Sequence, residues 1–110
     1  MFNRFRRKPP KDTSSIAYKK YMANRLDEHH VEYSLERKDN VESVIGKNGS
    51  INVRNGELIL TGSGETLFRV KIENFNAWEF MSLNGVVITG YDLEHQQERT
   101  VIAYYSYYRK

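Results

Sequence analysis

Residues Glu57 to Gly90 read ELILTGSGETLFRVKIENFNAWEFMSLNGVVITG, and this stretch decides the fold. Leu58 and Leu60 alternate with polar neighbours, Phe68, Val70 and Ile72 alternate with Arg69 and Lys71, and Val86 with Ile88 completes the set. A period of two means that one face is packed and the other wet, the signature of an antiparallel sheet. GSGE, ENFN and SLNG sit between the runs as turn chemistries. The fold class is therefore mainly β: an antiparallel meander forming a small roll, barrel or sandwich.

Working outward, Val41–Ile45 and Ile51–Val53 read as short strands separated by a turn at Asn48-Gly49. Asn55-Gly56 and Asn84-Gly85 have the same chemistry, because Asn-Gly suits a turn with positive φ at both central positions. Trp78 and Phe80 flank Glu79, which marks a strand from Ala77 to Ser82. Phe75, Met81 and Leu83 break the alternation and call for a bulge or register change. Thr100–Tyr108 forms the last strand, giving six or seven in all. Ahead of the sheet, residues 13–33 form the one helix candidate. Thr13, Ser14 and Ser15 offer caps, and Tyr18, Met22, Leu26, His29 and Tyr33 share a stripe. The expected place for this helix is across an edge or open end of the sheet.

A chain of 110 residues holds one domain and one core. We expect residues 13–110 to form it, with residues 1–12 as a disordered basic arm. Within it, residues 1–11 hold Arg4, Arg6, Arg7, Lys8 and Lys11 and no acid, which is +5; with a total of +3, the other 99 residues carry −2. The basicity belongs to the arm and not to the folded body.

No cysteine is present, which excludes disulfides, thiol chemistry and thiolate metal sites. No apolar run approaches the roughly 20 residues that span a bilayer, and no signal peptide follows the basic start, so the expected location is cytoplasmic. His29, His30 and His95 do not make a metal-ligand pattern. Gly62-Ser63-Gly64 lacks the spacing of a phosphate cradle, and Ser63 has no activating neighbour. No carboxylate is embedded in an apolar run. Glu73 and Glu79 flank the NFNA turn, where a pocket shared with Trp78 is the one glycosidase-like arrangement to test. We therefore expect no enzyme, no cofactor and no metal.

The densest signal is Tyr104-Tyr105-Ser106-Tyr107-Tyr108-Arg109-Lys110. In a strand Tyr104, Ser106 and Tyr108 face one way and Tyr105, Tyr107 and Arg109 the other. One assignment puts Val101, Ala103, Tyr105 and Tyr107 on the core side and Ile102, Tyr104 and Tyr108 outward, and either assignment leaves aromatics on both faces. Three readings stay open for these rings: packing under the helix, a protein interface, or a base-stacking platform with Arg109 and Lys110 on phosphates.

Val41 to Gly90 resembles the YabP/YqfC type of sporulation protein. The matching pieces are Glu57–Thr61, the Gly62-Ser63-Gly64-Glu65 turn, the Leu67–Ile72 strand and Gly85-Val86-Val87-Ile88-Thr89-Gly90. The chain departs from that type in its Tyr-containing helix, its Asn-rich Trp78 segment and its final YYSYYRK. The resemblance implies a non-enzymatic role in assembly or regulation during spore formation and carries over no functional residues.

The expected function is a protein-interaction or assembly module, including association with its own copies. The alternative is binding of nucleic acid or an anionic surface through Arg4, Arg6, Arg7, Lys8 and Lys11, together with Tyr104, Tyr105, Tyr107, Tyr108 and Arg109.

Overall fold

The computed structural model describes residues 15–106. Helix α1 (Ile16–Leu26) precedes seven strands: β1 (His29–Lys38), β2 (Val41–Arg54), β3 (Glu57–Gly62), β4 (Glu65–Lys71), β5 (Asn76–Glu79), β6 (Gly85–Asp92) and β7 (Gln97–Tyr105). They form one antiparallel sheet in the order β4-β3-β2-β1-β7-β6-β5. The sheet curls into a half-barrel with α1 packed on it. Met22, Ala23 and Leu26 of the helix join Phe68, Phe75, Leu58, Ile51 and Ile88 in one buried core on the inner face.

Ser15 caps the helix, its hydroxyl accepting from the Tyr18 N–H at 3.1 Å. The expected helix to Tyr33 stops at Leu26, and His29–Lys38 is a strand instead. The physical reason lies in strand pairing that competes with the helical stripe. Tyr33 fits that stripe, but in the strand a bulge between Val31 and Tyr33 sends Val31 to the core and Tyr33 and Leu35 to the outer face. Tertiary pairing on both sides of the segment decides for the strand. Glu28 adopts a left-handed φ of 68° and donates its N–H to Ile51 O at 2.7 Å, and Asp27 Oδ1 accepts from Val53 N–H at 2.8 Å. The chain is thereby turned from helix into sheet. β1 becomes the middle strand, so the segment expected to lie across the sheet is at its centre.

β2 differs from expectation as well. It runs unbroken for 14 residues through Asn48-Gly49, which is a kink and not a hairpin turn. Asn48 holds φ 55°, and a Cβ on Gly49 would meet Thr61 O at 1.7 Å. Glycine is required there because the β2 and β3 backbones touch. The hairpin turn is Asp39-Asn40, both residues left-handed at 53° and 66°. Asn55-Gly56 turns as expected, with φ of 52° and 76°. At the third Asn-Gly the left-handed residue is Leu83, at φ 61°, and Gly85 opens β6.

Both ends of the sheet make contacts beyond the ladder. At the β4 edge Asp92 Oδ1 accepts from Arg69 N–H at 3.1 Å, Leu93 N–H donates to Arg69 O at 2.6 Å, and Arg99 donates to Leu67 O at 2.9 Å. The turn between β6 and β7 therefore clasps the far strand and holds the curl. At the β5 end, Lys19 of α1 donates to Phe75 O at 2.8 Å, and Arg25 pairs with Glu79.

Candidate interaction surface

The two faces of the sheet carry different residues. Val101 and Ala103 lie in the core, which decides between the two assignments and sends Ile102 and Tyr104 outward. Pairing then fixes their neighbours. Trp78 lies opposite Val87, Val87 opposite Ile102, Ile102 opposite Leu35, and Leu35 opposite Val44. These five residues make one apolar row across β5, β6, β7, β1 and β2, about 20 Å long at the usual strand spacing. Its centre is tight, with Ile102 only 1% exposed, while its ends are open, with Trp78 at 57% and Val44 at 53%.

A second row runs parallel to the first. Phe80 covers Gly85, Gly85 pairs with Tyr104, and Tyr104 pairs with Tyr33. Tyr104 stacks on Tyr33 with ring centroids 4.8 Å apart and meets Phe80 at 5.4 Å. Gly85 is needed here, because a Cβ would stand 2.8 Å from both the Phe80 ring and Ala103 O. On the other side of the aliphatic row the surface turns polar, with Asn76, Thr89, Thr100, Arg37 and Glu42 in register. Apolar and aromatic rows bordered by polar groups are the layout of a docking face.

Where β1 starts and β7 ends, the aromatic row borders a cleft of ≈ 550 Å³ lined by His29, Glu32, Tyr33, Leu83, Tyr104 and Tyr105 among others. Tyr105 forms the inner wall. Its hydroxyl donates to Glu79 Oε2 at 2.8 Å, and the His29 ring lies 4.3 Å from its own. Burial, then the Glu79 carboxylate, push the Tyr105 hydroxyl far above the ordinary tyrosine pKa, so the ring stays neutral. The Arg25 guanidinium is held charged chiefly by its bond to the same Glu79.

The most chemistry-like cluster lies elsewhere, behind the β4 edge. Arg99 donates to both oxygens of Glu36 at 3.0 Å and to Asp92 Oδ2 at 2.7 Å, and His95 Nδ1 lies 2.6 Å from that same oxygen. Asp92 is 0% exposed. Its burial favours the neutral acid, yet Arg99, His95 and the backbone N–H groups of Arg69 and Glu94 together hold its pKa below the ordinary value. The Arg99 bond likewise lowers Glu36. All four acceptor contacts of Asp92 serve the clasp that closes the sheet.

Of the residues expected to act, Tyr104 and Tyr105 are described, and they point to opposite faces. Helix α1 packs on the inner side, so it does not cover Tyr104, which β1 and Phe80 flank instead. Arg4, Arg6, Arg7, Lys8 and Lys11, with the whole arm of residues 1–12, lie outside the described residues, as do Tyr107, Tyr108 and Arg109.

Glu73 and Glu79 do not share a pocket with Trp78: Glu79 faces inward beside Tyr105, while Trp78 points outward. Among the described residues no set of three His, Asp or Glu side chains gathers as a metal site, and no helix is long and apolar enough to cross a membrane.

Sequence reasoning missed Asp92, Arg99 and the outward row. Period two extends from Val86 and Ile88 to Gly90 and Asp92, and from Val101 back to Arg99, which places both charges on the inner face. The row itself needs cross-strand register, which no single segment contains. Comparison with known proteins gives no match among family models, curated proteins or solved structures.

Proposed function

We propose that this chain is a non-catalytic protein-interaction module that docks its partner on the outer face of β5, β6, β7, β1 and β2. The observation that carries the reading is the row Trp78–Val87–Ile102–Leu35–Val44, packed at its centre and open at its ends. Interface cores are built this way, from apolar and aromatic anchors with charge kept to the rim. The neighbouring cleft gives an anchor side chain of the partner a place to enter. The buried Asp92–Arg99–Glu36 cluster already has a structural task, which supports a non-catalytic reading. An assembly role of the kind implied by the YabP/YqfC resemblance fits the same surface.

A photo-reactive amino acid placed at Trp78 in the full chain, inside its native cell, tests the proposal. It should cross-link to protein, whereas the same group at the helix position Asn24 should not. Equal yields from both positions would sink the reading.

A second reading rests on charge: +5 over residues 1–11 against −2 for the remainder. It assigns the arm to phosphate-bearing polymers or surfaces, bound with a steep salt dependence. Removing residues 1–11 should then abolish binding to a mixed RNA or an anionic vesicle. Binding unchanged by that truncation would overturn it.

A further inference from the structure

A strand with an unpaired edge presents backbone donors and acceptors to any other strand. The β4 edge is taken up by Asp92, Leu93 and Arg99, while the short β5 end lies beside helix α1, whose Lys19 and Arg25 contact Phe75 O and the Asn76 and Glu79 side chains. β2 differs. Its partner β3 pairs only from Ser50 to Arg54, and the Ser63 turn reaches back as far as Lys47. Residues Val41–Val44 pair with β1 on one side, and among the described residues nothing pairs with them on the other. Val41 and Val44 are exposed there as well.

The hairpin register says which groups are on offer. Lys38 and Val41 flank the two-residue turn and form its closing hydrogen-bonded pair. Hydrogen-bonded and non-bonded pairs alternate along an antiparallel ladder, so Glu42 and Val44 turn their N–H and C=O groups away from β1.

Resting on the interaction reading above, we infer that this edge pairs with the same edge of a second copy. The two strands run antiparallel about a two-fold axis at Ser43. In that register Glu42 of each copy bonds Val44 of the other, and Ser43 faces Ser43. Several features favour a second copy over an unrelated strand. The two Glu42 carboxylates are not opposed, and each keeps its Arg37 at 2.8 Å. The open stretch ends where the Ser63 turn meets Lys47, so the Asp39–Asn40 tip of one copy arrives beside Lys47 of the other, acid against base. Val44 ends the apolar row, and pairing sets the two Val44 side chains diagonally across the axis. The docking face of one copy then runs on into that of the next, an isologous contact that closes at two.

The chain has no cysteine, which makes the register directly readable. Ser43→Cys would place two thiols on a non-hydrogen-bonded pair with Cα atoms about 4.5 Å apart, close enough for a disulfide. The full-length S43C chain should form a disulfide dimer under mild oxidation and outpace E42C, whose thiols lie on different rungs. By sedimentation, the unmodified chain should rise with concentration from 13.0 kDa towards twice that mass. Val44→Pro, which removes an outward N–H, should return it to one chain with its circular dichroism unchanged.

A chain that stays at 13.0 kDa up to its solubility limit, with S43C no faster than E42C, overturns the inference. The docking reading is judged separately by Trp78 cross-linking. Cross-links from Trp78 in a strictly monomeric chain would leave that reading standing and reject only the second copy.

Discussion

Arg99 Nη1 lies 2.7 Å from Asp92 Oδ2 on the inner wall of the sheet, and the carboxylate is wholly buried. The pair is a mechanical part. Through Asp92 Oδ1 and the Arg99 contact to Leu67 O it ties the β6–β7 turn to the β4 edge. Removing Asp92 leaves the buried Arg99 with Glu36 alone and takes the acceptor from the Arg69 and Glu94 N–H groups. Asp92→Ala should therefore cost about 3 kcal/mol in urea unfolding at neutral pH, with loosened hydrogen exchange in β4.

Acid should act on the same clasp. The folded-state pKa values of Asp92 and Glu36 are both lowered, so their contribution to stability is complete above the ordinary carboxylate range. It is lost as pH falls through the lowered values. Stability should thus decline below about pH 4, and Asp92→Asn should flatten that decline. An unfolding midpoint independent of pH in this range would contradict the role given to the clasp.

Tyr105 titrates in the opposite sense. Its pKa is raised, so its contribution is complete below the ordinary tyrosine value and is lost as pH rises towards the folded one. Tyr105→Phe removes the bond to Glu79 and should cost about 1 kcal/mol at neutral pH. It should also make stability less sensitive to alkali than in the parent chain.

Gly49 and Ser34 give a contrast within the central strands. Gly49→Ala drives a Cβ into Thr61 O and should destabilise by more than about 3 kcal/mol. Ser34 is 1% exposed, and among the described residues its hydroxyl has no hydrogen-bond partner. Ser34→Ala removes that unmet polar group and should be neutral or stabilising by about 1 kcal/mol. Paired thermal melts of the two variants check both signs.

These residues also show what the sequence discloses and where it stops. The strands of Glu57–Gly90 are legible because alternation is local, and Asn55-Gly56 turns as its chemistry requires. β1 is not legible, because Tyr33 continues the helical stripe while a bulge after Val31 breaks the strand's alternation, and only its pairing with β2 and β7 selects the strand. Asn48-Gly49 misleads for a related reason: left-handed geometry serves a kink as well as a turn, and the approach of Thr61 decides which. The interaction surface is hardest to read. Trp78, Ile102 and Val44 are far apart in the chain, and register alone brings them into one row.

Docking on the outer face requires the row from Trp78 to Val44 to be covered when the protein works. Hydroxyl-radical labelling of Trp78, the single tryptophan, measures this directly. Labelling would be compared between the dilute purified chain and the chain in its native cells. Trp78 should label strongly in dilute solution, where it is 57% exposed, and be markedly protected in the cell. Equal labelling in both settings would contradict docking on the outer face.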